Sequence, residues 1–221
     1  LALGTKLIVL WLAREGTYIR EAKDSKLAVD RLVEAIDDML DYNTDIRIAI
    51  EPKPNEPMDQ AYIPTTGHAM ALGYLTKDPS RNGVNIETAH AILAGLDPSD
   101  EMGFALAYDK LYTVHLNDQN GLKFDEDKSF GSVNLRRAFD QVLILDKYDY
   151  GKRGEFVGLD VKTMRTQKIE ASTKHLSNSR TVFLRLVELV RSLDAKKIEQ
   201  FQTDRDYEEL DMLIMSHLLG K

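Results

Sequence analysis

The sequence predicts an α/β fold, a (β/α)8 barrel of which this chain supplies about the last five βα units and a C-terminal helical tail. Strand-length apolar runs alternate with longer stretches of helical periodicity, the pattern of a parallel sheet covered by helices. No Gly-rich phosphate loop of the G-x-G-x-x-G or P-loop kind follows an early strand, which weighs against an open, doubly wound nucleotide-binding sheet.

The units follow in order. Residues 7–12 are continuously apolar, and Asp24 and Ser25 offer helix caps ahead of Val29, Leu32, Val33, Ile36, Met39 and Leu40 at helical spacing. Residues 46–50 form a second strand, stopped by the prolines of Glu51-Pro52-Lys53-Pro54, which cannot donate to a ladder. A short third strand over 83–86 has its helical partner split between 88–96 and 102–111. The fourth strand, 112–116, precedes a helix over 135–145, and the fifth, 156–159, precedes a helical face of Val182, Phe183, Leu186, Leu189, Val190 and Leu193. The stretch 206–219 is again helical. Five strands do not close a barrel of eight. The chain starts at Leu1 and not Met, so it is expected to be a piece of a longer protein, with residues 1–194 the C-terminal portion of a barrel and 195–221 a helical extension.

Composition narrows the function. A chain of 221 residues with 43% hydrophobic and 29% charged content reads as a globular domain. The net charge of −7 argues against nucleic acid, and no apolar run approaches the ~20 residues of a membrane span, so the expected partner is a neutral small molecule and the expected location the cytoplasm. With no cysteine, any metal site must use oxygen and imidazole.

The four last strands each end on a candidate ligand, Glu51, Glu87, His115 and Asp160, at spacings of 36, 28 and 45 residues. Each spacing is one βα unit, which returns the four side chains to one end of the barrel, where active sites of this architecture lie. Strand alternation points Lys53 the same way as Glu51, and Lys162 the same way as Asp160. Asp125-Glu126-Asp127 adds carboxylates after His115, and His90 stands one helical step beyond Glu87, so Glu87 is placed to bridge two sites for hard or borderline cations such as magnesium, manganese or cobalt. Singly, each residue has a plainer reading as a turn former, a helix cap, a packed histidine or a solvated loop charge; their order and spacing favour one site. Trp11 reads as core or as the aromatic wall of a sugar pocket. His68, His175 and His217 lie in helical stretches away from strand ends and read as structural.

Over residues 6–166 the sequence resembles the xylose isomerase family. The resemblance is carried by Trp11-Leu12-Ala13-Arg14-Glu15-Gly16, Ile50-Glu51-Pro52-Lys53-Pro54-Asn55-Glu56-Pro57, Gly83-Val84-Asn85-Ile86-Glu87 with His90, and the stretch from Leu116-Asn117-Asp118-Gln119 to Asp125-Glu126-Asp127. It implies a metal-dependent aldose–ketose isomerase that shifts a hydride between carbons 1 and 2 of an open-chain sugar of the xylose, glucose or rhamnose type. By the same resemblance, Glu51, Glu87 and Asp160 hold one divalent ion against the sugar hydroxyls. Glu87, His90, Asp125 and Asp127 hold the second. Lys53 then bonds the carbonyl end, Trp11 lines the sugar pocket, and Glu56 orients the loop bearing Asp125 and Asp127. Catalysis falls to Lys53 and Asp125, and substrate contact to Trp11, Lys53, Glu51 and His90. At His115 the family usually has aspartate, and imidazole there is more like L-rhamnose isomerase. The family's ring-opening histidine comes from earlier strands that this sequence does not contain. Two alternatives stand beside this reading: a ketose 3-epimerase on the same barrel, and a truncated, non-catalytic barrel subunit. The apolar tail with Tyr207, Leu210, Leu213, Ile214 and Leu218 is expected to support a homo-oligomer, a dimer or tetramer.

Overall fold

The computed structural model describes residues 4–12 and 19–220. Five strands form one parallel sheet in the order β1-β2-β3-β4-β5: β1 (Leu7–Trp11), β2 (Arg47–Glu51), β3 (Asn82–Glu87), β4 (Leu111–Leu116) and β5 (Phe156–Leu159). Consecutive, all-parallel pairing is the order a barrel requires, and the sheet is the half-barrel expected from the sequence. Registry aligns the strand ends: Trp11 pairs with Glu51, Glu87 with His115, and His115 with Gly158. An irregularity between Val84 and Asn85 shifts β3 against β4 just before the ligand-bearing end. Bulges of this kind re-aim side chains next to functional sites.

The helices are α1 (Ser25–Tyr42), α2 (Thr66–Tyr74), α3 (Thr88–Leu93), α4 (Pro98–Ala107), α5 (Leu135–Lys147), α6 (Lys174–Ser192), α7 (Ala195–Asp204) and α8 (Tyr207–Leu218). Asp24 caps α1 as expected, accepting from the Leu27 amide at 3.0 Å. At the far end of α1, the Arg81 guanidinium donates to the carbonyls of Leu40, Asn43 and Ile46, satisfying acceptors the helix leaves open. The helix α2 contains His68, which the sequence places in a helical stretch without marking its bounds. Thr66, Ala69, Met70, Leu72 and Gly73 are buried, and the exposed face carries Gly67, His68, Ala71 and Tyr74, too few polar side chains to make the helical periodicity visible.

The core joins Ile48 and Ile50 of β2, Val84 and Ile86 of β3 and Val114 and Leu116 of β4 to Ile36, Leu40, Met102, Phe139, Val142 and Leu186 of the helices. Each such side chain contributes about 1.5–3 kcal/mol by leaving water. Of the middle strands, β3 is buried throughout and β2 and β4 are buried except at Arg47 and His115, whereas β1 and β5, at the two sheet edges, are only partly covered. The tail returns onto its own chain: Ile214 is buried, Leu210 and Leu218 pack on the core, and Asp211 pairs with Arg136 of α5.

Asp140 on α5 gives the fold a pH dependence. Burial first, then the charges of Asp97 and Asp100, raise its carboxyl from 3.8 to about 6. A raised carboxyl favours the protonated folded state, so this group costs no stability below about pH 4 and an increasing amount as pH rises through 6. Asp140→Asn is expected to gain about 1 kcal/mol at pH 7, after allowing for solvent screening, with the gain vanishing toward pH 4 in urea titrations.

Candidate functional site

The C-terminal ends of the strands converge on a cleft of about 540 Å³ lined by Trp11, Glu51, Lys53, Glu56, Pro57, Glu87, His90, Asp125, Asp127, Asp160 and Lys162. Every expected ligand except His115 lines it directly, and His115 reaches it through Glu51 and Asp160, with Nδ1 at 3.5 and 3.6 Å from their carboxylates. His90, on the first turn of α3, sets Nε2 at 3.3 Å from Glu87 and 3.2 Å from Asp125, and Nδ1 at 3.5 Å from Glu51. Arg14, Glu15 and Gly16 lie outside the described residues.

Lys53 is buried behind Pro52, its amide held by the Ile63 carbonyl at 3.1 Å. Its Nζ lies 2.6 Å from Asp125 Oδ2 and 5.0 Å from the centre of the Trp11 ring. Trp11 is half exposed and lines the cleft, so it is not part of the core. Lys162 lies 2.9 Å from Asp127, and its Nζ donates to the Asp125 carbonyl. Both lysines enter the cleft with Glu51 and Asp160, as strand alternation predicts, but their close ion pairs are with Asp125 and Asp127 of the loop after β4.

Neutral side chains absent from the sequence-derived set do much of the positioning. Asn117 donates to Glu87 at 2.8 Å and Asp127 at 3.2 Å, and its oxygen accepts from the Ala89 amide at 2.7 Å, tying the end of β4 to the start of α3. Asn85 sits between Glu51, at 2.5 Å, and His115, at 3.0 Å. Both are fully buried and lie two residues from a candidate ligand, so the period-two rule that found Lys53 also points to them. The loop with Asp125 and Asp127 is closed by paired backbone bonds between Asp118 and Lys128. Inside it, Gln119 donates to the carbonyls of Gly121 and Phe124 and accepts from the Glu126 amide, while the Asp118 carboxylate gathers the amides of Gln119, Val133 and Asn134. Glu56 accepts the Asp125 amide at 2.9 Å, the orienting contact expected for it. Glu56 and Asp127 hold φ of +55° and +44°, backbone strain that persists only where the surroundings fix it.

Six carboxylates, Glu56 among them, share this space with two lysines and His90, and His115 stands beside it. Burial, then the charges of Glu51, Asp160 and Asp125, push the Glu87 carboxyl well above its usual range. Burial also raises Glu51, but hydrogen bonding to His115, the His90 and His115 charges and the Asn85 amide outweigh it and hold that carboxyl low. For Asp125 burial is likewise overcome, by hydrogen bonds from His90 and Lys53, and the carboxyl is held far below its usual value. His115 is opposed by burial yet lifted to about 9 by Asp160 and Glu51.

The donor chemistry fits divalent cations. Three sets, Glu51–Glu87–His90, Glu87–His115–Asp160 and Glu87–Asp125–Asp127, each bring one ligand atom per residue within 4.8 Å of the others, and Glu87 belongs to all three. Asp125 Oδ1 and His90 Nδ1 are buried without a hydrogen-bond partner among the described residues, an arrangement that is costly unless another group satisfies them. All donors are oxygen or imidazole nitrogen, suited to magnesium, manganese or cobalt.

Residues 1–151 match the sequence profile of the family described as xylose isomerase-like TIM barrel. The chain belongs to this family. Among curated relatives, xylose isomerase from Streptomyces lividans is 33% identical over 252 aligned positions, which cover 95% of this chain and 63% of that protein. The chain therefore spans less than two thirds of that relative's length. Among solved structures, a D-tagatose 3-epimerase-like protein superposes with a TM-score of 0.63 at 16% identity, over 84% of this chain and 64% of its own. A xylose isomerase domain protein from Alicyclobacillus acidocaldarius gives 0.58 at 14% identity, over 86% and 67%. At these identities the superpositions establish the barrel fold for this family member.

Proposed function

We propose that this member of the xylose isomerase-like family carries the metal-binding half of an aldose–ketose isomerase site, acting on a xylose-, glucose- or rhamnose-type sugar. The observation that carries the reading is the meeting of seven ionisable ligands from four βα units, with Glu87 common to every set, beside a buried lysine. Glu51, Glu87, His115 and Asp160 would hold one cation, and Glu87, His90, Asp125 and Asp127 the other. When bound, such ions polarise a carbonyl and favour negative charge on neighbouring oxygens.

The chain's own groups do the rest. Lys53 presents a cation fixed by Asp125 to the carbonyl oxygen of the open-chain sugar, where charge grows as hydride leaves the neighbouring carbon. Trp11 offers an aromatic face to the sugar's C–H surface. Asn85 and Asn117 hold the carboxylates apart and in orientation. The test is turnover with manganese against a panel of aldoses in deuterium oxide. Ketose formed without solvent deuterium at the product carbon supports the hydride shift. Label there selects proton transfer of the epimerase kind, and no turnover leaves a binding subunit.

Gly158 offers a sharper probe. A Cβ there would lie 3.0 Å from His115 Cδ2, so the imidazole stands where it does because β5 has no side chain opposite it. Gly158→Ala is expected to weaken manganese affinity about tenfold in calorimetric titration while shifting stability by only about 1 kcal/mol. The proposal also includes self-association through α8, whose Tyr207 and Met212 stay exposed; a monomer in sedimentation equilibrium at micromolar concentration removes that part.

A further inference from the structure

We infer that a second cavity, beside the cleft, receives an anionic group, a phosphate or carboxylate, of the ligand whose carbonyl end enters the cleft. The identity of that ligand as a sugar rests on the isomerase reading; the anion site does not. The cavity has a volume of about 870 Å³ and lies between the loop after β4 and the segment from β5 into the first turn of α6. Lys162 lines both spaces, so the two communicate past one side chain.

Charge on the cavity wall runs against the balance of the chain. The protein has 36 acidic and 29 basic residues, yet this wall presents Lys128, Lys162, Arg165 and Lys174 against Glu126 alone. Lys162 is neutralised by Asp127, but Lys128, Arg165 and Lys174 have no ion-pair partner among the described residues. His175 also lines the cavity. Ser129, Ser132, Thr163 and Asn178 add neutral hydrogen-bonding groups. Three cations without an ion-pair partner among the described residues, set with these groups around one concavity, form a receptor for a multiply charged oxyanion, which accepts several donors at once. Met164 and Phe124 supply an apolar wall along which the carbon chain can run toward the cleft. Net charge alone points to a neutral ligand, because a whole-chain sum hides a local cluster.

The test uses the double variant Arg165→Gln, Lys174→Gln, at two exposed positions outside the cleft, with thermal melts confirming that it folds. Inorganic phosphate is titrated calorimetrically into wild type and variant, both kept metal-free with chelator. Glucose and glucose 6-phosphate are then compared in each, with the fluorescence of Trp11, the sole tryptophan, as the signal. The expected result is millimolar phosphate binding that weakens at least tenfold in the variant. Glucose 6-phosphate should bind wild type at least tenfold more tightly than glucose, an advantage the variant loses while glucose itself is unaffected. Equal phosphate binding in the two proteins overturns the site. Variant-sensitive phosphate binding with no advantage for the ester shows a site for free oxyanion and overturns its link to the cleft. Absence of turnover in the separate manganese assay, with the binding differences intact, sinks the isomerase reading and leaves the anion site standing.

Discussion

Lys53→Met is expected to lower kcat by about a thousandfold, with a much smaller change in KM and no loss of manganese binding. The ammonium is buried, fixed 2.6 Å from Asp125 and stacked against Trp11, so it needs no reorganisation when charge develops on a substrate oxygen. Preorganised donors in such surroundings are worth about 10²–10³ in rate. Methionine keeps the volume and removes the charge, leaving Asp125 buried beside His90 without its direct partner. Breaking a buried pair costs about 3–5 kcal/mol, so the metal-free variant should melt at lower temperature, and manganese should restore most of the difference. A rise in KM at unchanged kcat would mean that Lys53 only holds substrate.

Glu87→Gln should be as damaging to metal binding as Lys53→Met is to turnover. Glu87 belongs to all three ligand sets and sits 3% exposed among Glu51, Asp125 and Asp160, whose charges oppose its ionisation. The amide keeps the size and the acceptor for Asn117, but not the charge that a divalent ion requires. Manganese affinity is expected to fall at least a hundredfold. The metal-free variant should be more stable than wild type by about 1–2 kcal/mol, since one member of a crowded carboxylate group becomes neutral. For wild type, manganese at a hundred times its Kd should add about 2.7 kcal/mol, an effect the variant loses at the same concentration. Thermal melts with and without manganese read both changes.

The candidate ligands were legible in the sequence because a parallel strand and its return helix occupy a predictable length. A carboxylate or imidazole at each strand end therefore falls at the same end of the sheet, and Glu51, Glu87, His115 and Asp160 do so. Strand alternation likewise placed Lys53 and Lys162 correctly. Asn85 and Asn117 escaped because a neutral amide carries no chemical signature, although their two-residue offset from a ligand was visible. Asp118 and Gln119 work through bonds to Lys128, Gly121, Phe124 and Val133, contacts fixed only once the loop has closed. Among the elements, the bounds of α2 were hidden because its exposed face carries Gly67, Ala71 and Tyr74 and only one polar side chain, His68. The break between α7 and α8 falls at Arg205, whose left-handed φ of +59° no glycine announces. The docking of the tail on α5 left no local pattern to read, because the Arg136–Asp211 pair joins residues 75 apart.

Anomalous diffraction at the manganese edge, from crystals soaked in manganese, reads whether Glu87 serves two cations at once. Two peaks are expected, both in contact with Glu87, one also against Glu51, His115 and Asp160 and the other against His90, Asp125 and Asp127. A map with no peak in the cleft, or with manganese bound by residues that exclude Glu87, overturns the two-cation site.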